Sequence, residues 1–81
     1  MMATVRLLYF ASLREAAGRD DETVHSSAGD LAALYAETAA RHGLQWPRER
    51  LRVAVDGAFA CWDDALADGS EVAFIPPVSG G

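Results

Sequence analysis

The chain has 81 residues, 51% of them hydrophobic and 23% charged, with a formal net charge of −5. That length holds one small domain with a modest core, and it excludes a catalytic domain joined to a regulatory one; the balance of apolar and charged residues excludes a disordered tail. A negative field repels nucleic-acid phosphates and acidic lipid, so neither nucleic acid nor membrane is expected as a partner, and a neutral or basic protein is.

All seven cations are arginine. Without lysine the chain has no side-chain amine for Schiff-base or isopeptide chemistry. The single Cys61 can form neither an internal disulfide nor a CxxC pair, which suits a reducing compartment. No apolar run reaches the roughly 20 residues that span a bilayer, and the opening MMATVRLLYF lacks the features of a secretory signal, so a cytoplasmic location is expected.

Residues 4–10 (TVRLLYF) are β-formers and, after Arg6, apolar at both parities, which predicts a central strand covered on both faces. Ser12, with Glu15 three residues on, reads as a capping box opening a short helix that Gly18 ends. The acidic run Asp20, Asp21, Glu22 leads into a turn and a short edge strand at 23–25. Ser27 is expected to cap the main helix, with Asp30 at its third position; Leu31, Leu34, Tyr35, Thr38 and Ala39 form its apolar stripe, and Gly43 ends it. A loop at 44–50 contains Trp46 and Pro47. Residues 51–55 alternate as a strand, Asp56-Gly57 suits a type I′ turn, and 58–62 return. After a polar connection and a turn at Asp68-Gly69, residues 71–75 form the last strand, stopped by Pro76 and Pro77.

Helices on one face of a mixed sheet of four to five strands make an α+β domain. Because the first and last strands both look doubly buried, they are placed side by side at the centre, the β-grasp arrangement; periodicity by itself reaches only an α+β domain of four or five strands. The domain is expected to span 1–77, followed by a flexible C-terminal diglycine tail at 78–81.

Conventional catalytic patterns are missing. His25 and His42 have no partners at metal-ligand spacing, so no metal is expected, and His42 suits a helix C-terminus. The pairs Asp20-Asp21 and Asp63-Asp64 read as solvated turn residues pointing apart. Cys61, between Ala60 and Trp62, reads as a packed small hydrophobe rather than a persulfide carrier. Phe59 and Trp62, at opposite parities of one strand, suggest that one is core and the other meets a partner.

The tail is chemically distinctive. Gly80 and Gly81 add no packing and lose much entropy on ordering, while Pro76 and Pro77 stiffen the exit from the sheet. A thin projecting end suits reaction at the terminal carboxylate inside another protein's narrow channel. That carboxylate is ionised at neutral pH, with a reference pKa of about 3.3 to 3.7, so it is a nucleophile toward ATP and an electrophile only once adenylated.

The opening VRLLYFASLREAAG, the hairpin VAVDG and the closing DGSEVAFIPPVSGG resemble the small, sulfur-carrier subunits of molybdopterin synthase, the MoaD family, over essentially the whole chain. Aspartate stands at Asp56 where asparagine is usual in that family, and Trp62 is bulkier than expected. The resemblance implies a ubiquitin-like β-grasp fold and a protein that is not an enzyme alone. Gly81 would be adenylated by an E1-like enzyme using ATP, then converted to a thiocarboxylate by a sulfur-donating enzyme. It would donate that sulfur to a cyclic pyranopterin monophosphate in the large catalytic subunit, within a heterotetramer. Gly80, Ser79, Val78, Pro77 and Pro76 would line the partners' channels, and no cofactor would be bound by the chain itself.

Helices in so small a domain cover one sheet face, yet Leu8, Phe10, Ala73 and Ile75 make a second apolar face, which is expected to dock both partners. Phe59 is expected to contribute from the hairpin and Arg14 from the rim. A loop around Trp46 covering this face is the structural alternative. Functional alternatives are a sulfur carrier for thiamine or cysteine synthesis and a ubiquitin-like protein modifier.

Overall fold

A computed structural model describes residues 2–77, so the expected tail, Val78, Ser79, Gly80 and Gly81, lies outside the described residues. The elements in chain order are β1 (Ala3–Tyr9), α1 (Ala11–Ala17), β2 (Asp21–Ser26), α2 (Leu31–His42), a 3₁₀ turn (Arg48–Arg50), β3 (Arg52–Val55), β4 (Ala58–Ala60) and β5 (Glu71–Ile75). They build one five-stranded mixed sheet in the order β2-β1-β5-β3-β4. β1 and β5 are parallel neighbours at its centre, with Leu8 opposite Ala73, as their apolar patterns predict.

The core lies on one side of the sheet. Val5, Leu7 and Tyr9 of β1, Val53 of β3, and Val72 and Phe74 of β5 pack under Leu13 of α1 and Leu31, Leu34 and Tyr35 of α2. Tyr35 and Phe74 meet edge to face with ring centroids 5.1 Å apart, and the half-buried Trp62 stacks on Phe74 at 6.0 Å. Thus Trp62 is the core member of the Phe59–Trp62 pair, and its bulk is spent inside the domain. Both helices end on left-handed glycines, Gly18 (φ 75°) and Gly43 (φ 68°). Asp56 (φ 51°) and Gly57 (φ 86°) take the expected hairpin turn, and the Asp56 carboxylate also accepts the Glu71 amide at 2.9 Å.

Both helix starts differ from expectation. The N-cap of α1 is Phe10, not Ser12; the Ser12 hydroxyl lies inside the helix and accepts the Trp46 indole N–H at 2.9 Å. The N-cap of α2 is Asp30, whose carboxylate accepts the Ala33 amide at 2.8 Å, so Ser27 does not cap it. The first two amides of α2, on Leu31 and Ala32, donate to the carbonyls of Asp64 and Trp62. The position of that helix start is therefore set by a loop far along the chain. β4 also stops at Ala60, short of the expected 62, where the Cys61 amide turns to the Asp64 carboxylate at 3.0 Å.

Candidate docking site

β alternation sends every second side chain of the sheet away from the helices. On that open face the register aligns Leu8, Ala73, Ala54 and Phe59 in one apolar row across β1, β5, β3 and β4. Phe10 extends the alternation of β1, with φ −124° and ψ 148°, and Ala11 then reverses the chain at φ 51°. Leu8, Phe10, Ala54, Phe59, Ala73 and Ile75 border an open groove of about 250 Å³. Phe10 is 47% and Phe59 68% exposed, unusual for phenylalanine and the mark of an unpaired apolar surface. No loop covers it. Trp46 packs on the helix side instead, where its carbonyl accepts the Tyr35 hydroxyl at 2.6 Å.

The structure thus brings Leu8, Phe10, Phe59 and Ile75 together. Arg14 stands beside them, exposed, bordering a second groove with Leu8 and Phe10, its Nε 3.7 Å from an Asp20 carboxylate oxygen. At the other border, a further groove of about 300 Å³ runs along Arg50, Arg52, Phe59, Ile75, Pro76 and Pro77. Pro76 is buried and Pro77 exposed. The first proline is accordingly part of the domain body rather than of a projecting segment, and the described backbone reaches the surface at Pro77.

The lone cysteine corrects an expectation. Cys61 is exposed, not packed, because β4 ends before it. Asp63 and Asp64 do not point apart either: their carboxylates and the Cys61 thiol lie within 4.8 Å of one another, all exposed.

One charged site had no sequence signal. Glu22, read as part of a solvated acidic run, has a side chain only 11% exposed beneath the C-terminus of α2. It accepts hydrogen bonds from the Tyr9 hydroxyl, lies 2.5 Å from His42 Nε2, and meets Arg19 and Arg41 at 3.2 and 3.4 Å. Burial by itself would raise its pKa, but the hydrogen bonds from Tyr9 and His42 and the charge of Arg41 outweigh it and hold the carboxyl at about 2. Burial, with the same carboxylate beside it, pushes the Tyr9 phenol well above its ordinary value. The cluster ties the outer edge strand to α2, on the face away from the open groove.

Fold and face together define the class: a ubiquitin-like β-grasp domain whose helix-free sheet surface is apolar and open beside the exit of its last strand. No described helix is long and apolar enough to cross a membrane. The chain belongs to the ThiS family, whose model matches residues 7–81. It is 38% identical over 80 residues to the molybdopterin synthase sulfur carrier subunit of Escherichia coli, covering 95% of this chain and 99% of that one. Among solved structures it resembles a complex of subunits 1 and 2 of molybdopterin-converting factor from Helicobacter pylori, at 27% identity, TM-score 0.63 and full coverage of both chains. It also resembles the small archaeal modifier protein 1 of Haloferax volcanii, at 26% identity and TM-score 0.75, covering 94% of this chain and 99% of that one.

Proposed function

We propose that this chain is the sulfur-carrier subunit of molybdopterin synthase and works in the cytoplasm, with Gly81 as the residue that carries sulfur. The observation that carries the reading is the open apolar row Leu8, Ala73, Ala54 and Phe59, with Ile75 at its end, from which the chain leaves through Pro76 and Pro77. A tail that reacts inside another protein needs a separate, rigid surface to hold that protein, because ordering each tail residue costs roughly 1–2 kcal/mol of backbone entropy. The family membership and the sulfur-carrier relative support the same assignment.

In this reading an E1-like adenylating enzyme docks on the open face. A Gly81 carboxylate oxygen attacks the α-phosphorus of ATP, pyrophosphate leaves, and an acyl adenylate forms. A donor enzyme's persulfide, cleaved by a thiol that becomes part of a disulfide, releases sulfur at the sulfide level. That sulfur attacks the acyl carbon, AMP leaves, and a glycyl thiocarboxylate remains. Docked next on the large catalytic subunit, with Gly80, Ser79, Val78 and Pro77 along its channel, the thiocarboxylate sulfur displaces an oxygen leaving group from a side-chain carbon of a cyclic pyranopterin monophosphate. Water cleaves the resulting thioester, so that sulfur stays on the pterin and Gly81 returns as the carboxylate; two such transfers complete the dithiolene. ATP is consumed by the activating enzyme, and the chain itself holds no cofactor.

Intact-mass measurement after incubation with ATP, a sulfur donor and the cognate E1-like enzyme tests this. The expected result is a gain equal to the replacement of one oxygen by sulfur, lost again on addition of the large subunit and its pterin substrate. An unchanged mass refutes the assignment. The likeness to a small archaeal modifier protein favours a second reading, in which an amine on another protein opens the same adenylate; amide-linked conjugates in place of the thiocarboxylate would establish it.

A further inference from the structure

The seven arginines divide into two groups. Arg6, Arg14, Arg19 and Arg41 each pair with a carboxylate of the domain. Arg48, Arg50 and Arg52 form no salt bridge among the described residues, are all exposed, and fall within five consecutive positions at the entrance to β3. Glu49 is the one acid in that stretch. In a chain of net charge −5, this is where unneutralised positive charge collects.

Its location is specific. Arg52 is the register partner of Ile75, the last residue of β5, and with Arg50 it borders the groove that runs past Phe59 to Pro76 and Pro77. Aromatic rings hold both guanidinium groups: Arg52 Cζ lies 5.4 Å from the Phe59 centroid and Arg50 Cζ 5.9 Å from that of Trp46. Stacking on a ring leaves the N–H fork of a guanidinium available for a carboxylate.

We propose that Arg50 and Arg52, assisted by Arg48, form a docking rim that binds carboxylates on the protein surface receiving the tail, at the border of the apolar contact. The proposal rests on the reading that the tail enters a partner, and it adds the chemistry of that partner's edge. Continuity of the rim with the apolar groove, through the shared Phe59 and Ile75, places the acidic groups beside the channel mouth. The overall negative charge selects against polyanions as occupants, since beyond about one Debye length, near 8 Å in physiological salt, they meet the net field rather than the rim. Overall charge governs which proteins approach; the rim governs the register in which they stop.

The test compares R50Q/R52Q with A33E/A36E, a variant of equal net charge altered on the exposed side of α2, in binding to the purified large catalytic subunit. R50Q/R52Q is expected to bind about 10-fold or more weakly at low ionic strength, with the deficit shrinking at high salt, while A33E/A36E stays within about 2-fold of wild type. R50K/R52K, which keeps charge but loses the fork, is expected to recover part of the affinity. Thermal melts confirm that each variant is folded. Equal affinities for R50Q/R52Q and A33E/A36E overturn the rim while leaving the sulfur-carrier assignment intact, provided wild type binds the subunit and gains sulfur. Wild type that does neither overturns both. Retention of wild type on heparin, lost in R50Q/R52Q, assigns the rim to a polyanion and likewise overturns the proposal.

Discussion

Replacing Glu22 by glutamine tests how much of the domain's stability resides in the charge cluster under α2. The carboxyl is held at about 2 against an ordinary value of 4.5. At about 1.4 kcal/mol per pKa unit, that difference bounds the carboxylate's contribution near 3 kcal/mol. Arg19 and Arg41 are 54% and 42% exposed, so their share is screened, leaving an expected loss of about 1–2 kcal/mol for E22Q at neutral pH. The pH dependence has a definite sign. A folded-state pKa below the unfolded value means that the unfolded chain binds the proton more readily; the contribution is complete above pH 4.5 and is lost as pH falls toward 2. Urea unfolding of wild type and E22Q across this range should therefore give two curves that are separated at pH 7 and converge in acid. Other carboxylates cancel in the difference. A separation that stays constant from pH 7 to the acid limit would mean that Glu22 acts through packing, and the electrostatic account would fail.

Three further outcomes are expected. D30A should lower stability by about 1 kcal/mol through loss of the α2 cap while S27A is nearly neutral, measured by thermal melts; the reverse order would restore the cap to Ser27. F59A should leave the melting temperature almost unchanged, because the ring is mostly exposed, yet weaken large-subunit binding by about 5-fold or more, and I75E should weaken it further; unchanged affinity by calorimetry would remove the open face from the docking argument. G81A, or deletion of Gly81, should preserve folding and docking while abolishing sulfur transfer, and normal thiocarboxylate formation from either variant would refute Gly81 as the carrier.

Patterns confined to neighbouring residues were legible from the sequence. Apolar residues at both parities placed β1 and β5 at the sheet centre, Asp56-Gly57 announced the hairpin, and Gly18 and Gly43 marked the helix ends. The open face followed from counting: two short helices leave Leu8, Phe10 and Ile75 without cover. What was not legible depends on long-range contact. Ser27 and Asp30 are both good capping residues, and the choice between them is made by carbonyls of Trp62 and Asp64 that receive the first amides of α2. The Ser12 hydroxyl is taken by an indole 34 positions away. Cys61 continues the strand pattern but is released by a turn closing on Asp64. Glu22 looks solvated beside Asp20 and Asp21, and only the docking of α2 over β2 encloses it. The arginine rim is written plainly at 48, 50 and 52, but its isolation from carboxylates is a three-dimensional property.

The parallel pairing of β1 with β5 also bears on synthesis. The sheet's middle position stays vacant until Glu71–Ile75 have been translated, so a nascent chain stopped before Glu71 lacks the strand that joins its two halves and has no complete core. Ribosomal products cut short before that strand should fall to proteolysis instead of accumulating as folded domains.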